Sequence, residues 1–236
     1  MKKKGLIRRI WKWTKRIFLF MFIAQLVYIV ILKWVEPPVT ITQLGSLLSG
    51  NGLKRDYVKT GAISSNMKLA VIASEDQLFP DHAGFDWKNI KKAMDYNKRK
   101  PGRVHGASTI SQQVAKNVFL WQGRSWLRKG LEVYFTKMIE WIWGKKRILQ
   151  VYLNVIETGK GIFGVEAAAK KYFNKPAKNL SKRQAAMIAA ALPNPKKYSV
   201  TPVSRYVSAR TGYILRQMNN LNGDPDIQEI IGISKK

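Results

Sequence analysis

Hydrophobic and polar positions divide this chain into three regimes. The first is an apolar run over residues 17–32, IFLFMFIAQLVYIVIL, broken only by Gln25. It is short for a hydrocarbon core that needs about 20 residues. Lys33, whose stem can snorkel, and the adjoining Trp34 and Val35 carry it to an interface, so a transmembrane helix is predicted over 17–35. The second regime, 36–66, is polar and interrupted by Pro37-Pro38, Gly45, Gly50, Gly52 and Gly61, which predicts a membrane-proximal connector. In the third, 67–222, apolar residues recur mostly at helical spacing. A short apolar piece at 67–74 precedes helices at 87–98 and 107–120, the latter with Ser108 or Thr109 as N-cap. Trp126, Leu127, Leu131, Tyr134, Phe135, Met138 and Ile142 mark another, closed by Gly144, and 145–156 and 165–173 follow. Ser181-Lys182-Arg183-Gln184 resembles a capping box opening an alanine-rich helix that stops at Pro193, and 206–221 supplies one more. The tail, 223–236, carries no strong signal, strand signals are weak throughout, and no internal repeat is visible. The pattern predicts a mainly α fold: one helical domain behind a single transmembrane helix.

Composition narrows the function classes. The chain has 236 residues, 46% of them hydrophobic, enough to bury a core. With no cysteine and only His82 and His105, it offers neither a disulfide framework nor a thiolate zinc site, and a histidine metal cage is not expected. The net charge of +28 predicts attraction to anionic partners. Residues 1–16 hold eight Lys or Arg and no acid, so the positive-inside rule leaves the N-terminus in the cytoplasm and everything after about residue 36 outside. All 14 acids lie beyond Arg16, yet a large cationic excess remains there, facing a membrane surface or an anionic substrate. Genomic DNA is on the wrong side, and nucleic acid is not expected as a partner. A cleaved signal peptide would share the basic start, but KWVEPPVT contains no small-x-small cleavage site.

Candidate chemistry gathers in two places. Transfer of a sugar from a diphosphate needs a base for the attacking hydroxyl and cations for the leaving group, but usually no acid. Glu75-Asp76 ends an apolar stretch, where partial burial would raise one carboxyl toward a useful base; the local alternative is a helix-terminal acid pair beside a capping His82. Gln113, Lys116 and Asn117 occupy neighbouring faces of one helix, giving donors suited to phosphate or sugar, or simply a solvated face. Arg128 and Lys129 precede Glu132 by four and three residues, a spacing that also describes ordinary surface ion pairs.

EDQLFPDHAGFD (75–86) and GASTISQQVAKN (106–117) resemble the first two signature motifs of family 51 glycosyltransferases. RKGLE (128–132), KKRILQVYLN (145–154) and GIFGVEAAAKKYFNK (161–175) resemble the other three. The five ordered motifs cover roughly residues 67–200, and with no second domain the likeness is to monofunctional members.

The resemblance implies a lysozyme-like helical glycosyltransferase domain with a small membrane-dipping subdomain. It implies an inverting peptidoglycan glycosyltransferase that polymerises lipid II into β-1,4 glycan strands and releases undecaprenyl diphosphate. By motif position, Glu75 would be the general base for the acceptor 4-hydroxyl. Glu132 would help place the donor diphosphate, directly or through a divalent cation (Mg or Mn), which makes it the one metal-ligand candidate; no other cofactor is implied. Lys116, Arg124 and Lys129 would neutralise the diphosphate, Arg128 would be a further substrate-binding residue, and Gln112, Gln113 and Asn117 would line the donor site. Asp76, Phe79 and His82 would shape the surroundings of the base. The implied partners are lipid II, the growing lipid-linked glycan, the membrane, and cell-wall synthesis or division proteins. The implied location is the bacterial cytoplasmic (inner) membrane, single-pass, with the catalytic domain outside. Gln150 stands where the fourth motif often has Glu, and Leu131 where some relatives add a cation.

Three rivals share features. A lysozyme-type hydrolase would use Glu75 and Glu132 as its carboxylate pair but has no need of the cations. Lys59-Thr60-Gly61, Ser64-Ser65-Asn66 and Ser65-Asn66-Met67-Lys68 match penicillin-binding strings, crowded together and in the wrong order. A non-catalytic basic membrane-binding protein would explain the charge alone.

Overall fold

The computed structural model describes residues 2–100, 106–123 and 125–233, and its contacts separate two units, Met1–Glu36 and Pro37–Lys236. The first unit is one helix, α1 (Lys2–Ile31), of which Ile7–Ile31 is long and apolar enough to cross a membrane. At its basic-to-apolar junction Lys15 lies 5.0 Å from the Trp11 ring centre and Arg16 lies 5.4 Å from that of Trp13. The helix starts well before the expected 17 and ends at Ile31 instead of 35. A turn over 32–34 then leads toward Pro37-Pro38, which no helix could traverse.

The second unit is built on α3 (Ser65–Glu75). Ser64 caps it by accepting from the Met67 amide, and every residue from Met67 to Ala73 is buried, the mark of a helix surrounded on all sides. Its neighbours are α9 (Lys182–Ala191), α10 (Arg205–Leu221) and α11 (Pro225–Ile231). Buried Ala185, Ala186, Ala189, Ala190 and Ala191 give α9 a low profile, which lets α3 and α10 approach it closely. A second layer packs α5 (Ile110–Phe119) against α6 (Trp126–Ile142) and α7 (Lys145–Val155). α8 (Val165–Phe173) occupies the span its periodicity predicts. Gly164, which precedes it at φ +83°, has no room for a Cβ, which would fall 2.6 Å from the Asn154 carbonyl oxygen. The amphipathic α4 (Trp87–Arg99) has no buried residue and is capped by Asp86.

The expected connector at 36–66 is instead part of this unit. α2 (Ile41–Leu48) opens with a reciprocal Thr40/Gln43 capping box, and Gln43 Nε2 donates to the Tyr57 hydroxyl at 2.7 Å. β1 (Lys54–Arg55) pairs in parallel with β3 (Ile162–Phe163), which also pairs antiparallel with β2 (Glu157–Gly159), giving the order β1-β3-β2. The tail is also more ordered than its sequence suggests. Asp224 accepts from the amides of Asp226 and Ile227 and Pro225 occupies the first turn, so α11 forms and packs on α3 and α7.

Candidate active site

Glu75 is the last residue of α3 and Asp76 its C-cap, so the chain turns sharply between them and the two carboxylates diverge. Asp76, 7% exposed, accepts from His82 Nε2 (2.9 and 3.1 Å to its two oxygens) and from the Ile110 amide (3.0 Å). That amide belongs to the first turn of α5, where free N–H groups and the helix dipole favour a negative charge. The His82 Nδ1 accepts from the Gly84 amide at 3.2 Å, which puts the ring proton on Nε2 toward Asp76. Phe79 is fully buried beneath, edge-on to His82, with the Lys145 ammonium 4.6 Å from its ring centre. Lys145 also donates to the His82 carbonyl and to Glu140 at 2.7 Å. Gly84, at φ +90°, lies so close to α6 that a Cβ would sit 2.7 Å from Thr136 Cγ2, and its carbonyl accepts from the Thr109 hydroxyl at 2.7 Å. Asp76, Phe79 and His82 thus form a buried bracket joining α3, the 76–86 turn and α5.

Glu75 is only half-buried. Its Oε1 accepts from the Ser74 hydroxyl (2.9 Å) and its Oε2 from Gln113 Nε2 (3.0 Å). It lines a cleft of about 1000 Å³ whose walls include Asn89, Lys92 and Tyr96 of α4, Ser108 and Arg210. Arg210, on α10, was not among the sequence candidates. Its Nη2 donates to the Ser74 carbonyl at 3.3 Å, and its Nε is buried without a hydrogen-bond partner. More than 130 residues separate it from Glu75, so no local pattern could have flagged it.

The cations gather around a second carboxylate. Glu132, on α6, is 3% exposed; Arg128 Nη1 donates to its Oε2 at 2.8 Å and Lys129 Nζ engages its Oε1. The surface-pair alternative therefore does not describe Glu132, although Lys129 keeps 42% of its side chain in solvent. Arg128 Nε is buried without a partner. Lys116, on α5, feels the charge of both carboxylates. Burial pushes its ammonium below the ordinary lysine value; Glu132 and Glu75 pull it up, whereas Arg128 and Lys129 push it down. Glu132, Arg128 and Lys129 do not themselves line the Glu75 cleft.

The remaining candidates fall as follows. The Gln112 side chain closes the α5 capping box, its Oε1 accepting from the Thr109 amide at 3.1 Å, and Asn117 is buried on the same helix. Arg124 and His105 lie outside the described residues. No group of three His, Asp or Glu suited to a metal occurs among the described residues, and both Glu132 oxygens are already held by cations, so these side chains make no protein-only metal cage. Ser64 and Lys68, from the penicillin-binding strings, are structural: one caps α3, and the other is buried with Nζ 3.0 Å from the Ile231 carbonyl.

A helical unit that sets one carboxylate on a cleft and holds a second against Arg128 and Lys129 offers the base and the cations that a glycosyltransferase needs. Residues 41–219 match the Transglycosylase family, and the chain belongs to it. It is 49% identical over 234 residues to the biosynthetic peptidoglycan transglycosylase of Yersinia pseudotuberculosis serotype O:3 (strain YPIII), covering 96% of this chain and 97% of that protein. It is 50% identical over 228 residues to the protein of the same name from Yersinia pestis (strain Pestoides F), covering 94% and 95%. The match from residue 41 places α2 inside the family domain.

Proposed function

We propose that this chain polymerises lipid-linked disaccharide-peptide units into peptidoglycan strands, with Glu75 as general base. The acceptor's 4-hydroxyl loses its proton to Glu75 as its oxygen attacks C1 of the donor sugar from the face opposite the diphosphate. The C1–O bond to the diphosphate breaks, the anomeric configuration inverts from α to β, and the diphosphate leaves on its lipid. Lys116, Arg128 and Lys129, with Arg124, stabilise the charge that develops there; cations in a partly buried site act more strongly than in water. Glu132 holds two of those cations in place. Gln113 steadies the base, and Asn117 and Gln112 belong to the donor side.

One observation carries this reading: Glu75 lines a cleft with a donor on each oxygen, and its partner Gln113 lies one turn before Lys116, whose charge both Glu75 and Glu132 favour. A membrane substrate agrees with the exposed apolar side chains of the catalytic unit. Ile41, Leu44, Leu47 and Leu48 leave the outer face of α2 bare, and Trp126 (92% exposed) and Leu127 do the same at the start of α6. With α1 as a single-pass anchor and the positive-inside orientation, the catalytic unit acts outside the cytoplasm.

The test incubates the purified full chain with labelled lipid-linked disaccharide and, separately, with finished cell wall. A ladder that a muramidase digests is expected from the first. Wall cleavage without polymerisation would replace this reading with a hydrolase, and neither activity would leave a binding protein.

A further inference from the structure

Among the described residues Tyr152 is the largest fully buried side chain, set on α7 where α5 packs against it. A buried phenol needs a hydrogen-bond partner, and phenylalanine would fill the same space without that requirement. The partner is Gln113: the Tyr152 hydroxyl donates to Gln113 Oε1 at 3.2 Å, and Gln113 Nε2 donates to Glu75 Oε2 at 3.0 Å. We infer that Tyr152 is a positioning residue that fixes the Gln113 amide with its nitrogen toward Glu75.

Hydrogen-bond polarity decides which end of the amide faces Glu75. A carboxylate only accepts, so it requires the NH2 end of the amide. The amide oxygen then points into the core, where it needs a donor. Tyr152 is that donor, and it keeps its proton: burial first, then the charges of Glu75 and Asp76, push its phenol well above the ordinary tyrosine value. Without the hydroxyl, the amide oxygen loses its partner and the amide is free to turn that oxygen toward Glu75. The base would then lose a donor that favours its ionised form, and its carboxyl would hold a proton to higher pH. The charged and titratable groups around Glu75 are Asp76 beside it, Lys116 on α5 and Arg210 on α10, with Asp86, Lys92 and Tyr96 also lining the cleft. Among the described residues, none of these donates to its carboxylate; Ser74 and Gln113 do.

The inference depends on Glu75 being the base, and the test separates the two. The full-length Tyr152→Phe protein is assayed for polymerisation from pH 5 to 9. The acid limb of kcat/KM should move up by about one pH unit, a loss of about tenfold at acid pH, with activity at the alkaline plateau within about threefold of the parent. Placing 2,3,5-trifluorotyrosine at position 152, nearly the same size but a stronger donor, should move the limb down; it also provides the test if the phenylalanine variant does not fold. Tyr172→Phe, which removes a different half-buried phenol whose hydroxyl bonds the Thr158 carbonyl, should leave the limb in place. A uniform loss at every pH, or a limb unmoved by fluorination, overturns the inference. Survival of polymerisation in Glu75→Gln would instead overturn the base assignment itself.

Discussion

Two carboxylates lie within electrostatic reach of one lysine, and their surroundings could hardly differ more. Glu75 is half-open to a cleft and its partners are neutral, a hydroxyl and an amide. Glu132 is buried, and its partners are charged. A carboxylate among neutral donors can gain and lose a proton without breaking an ion pair, which suits a base. One gripped by two cations serves better as the fixed point that keeps those cations aimed at a leaving group. Sequence spacing shows two acids near basic residues; burial and partners tell them apart.

The comparison can be broken by substitution. Glu75→Gln should lower polymerisation about a thousandfold and cost under about 1 kcal/mol of stability, because its partners can hydrogen-bond to an amide. Glu132→Gln should lower activity about a hundredfold. It should also destabilise the fold by about 2 kcal/mol, below the range for fully buried pairs because Lys129 is partly solvated. Thermal melting and polymerisation rate of both variants check this contrast; equal stability losses would undo it.

A smaller effect concerns Lys116. Burial lowers its proton affinity from the ordinary 10.5, so as pH rises it should neutralise before an ordinary exposed lysine and activity should fall with it. Lys116→Arg keeps the charge at high pH and should shift the alkaline limb upward, with a gain of about threefold at the highest pH tested. An unchanged alkaline limb would remove Lys116 from the leaving-group side. The smallest change is expected at the apolar rim: Trp126→Ala with Leu127→Ala should weaken binding of the catalytic unit to anionic vesicles by about tenfold. Turnover in detergent should stay near the parent value, and equal losses in both media would place these residues elsewhere.

Much of this architecture was legible from local chemistry. Thr109 and Gln112, like Ser181 and Gln184, are capping boxes that announce α5 and α9, and the periodicity at 165–173 is α8 itself. Other pieces had signals that stronger patterns hid. Thr40-x-x-Gln43 caps α2 within a stretch whose glycines read as linker, and Asp224-Pro225 opens α11 in a tail too short for periodicity. The remainder is tertiary and had no local signal. Asp76 bonds the amide of Ile110, Arg210 reaches Ser74, and Tyr152 meets Gln113 only because packed helices bring together residues 34, 136 and 39 positions apart. The candidate site residues were named through the resemblance of the five motifs; spacing alone would have left Glu132 an ordinary surface pair.

The central claim is that the Glu75 carboxylate removes the acceptor's proton. Its most direct test is the polymerisation rate of Glu75→Gln on labelled lipid-linked disaccharide, with folding verified by thermal melting. A melting temperature close to the parent's with no detectable ladder is predicted; a folded Glu75→Gln protein that still extends glycan within about tenfold of the parent rate would contradict it.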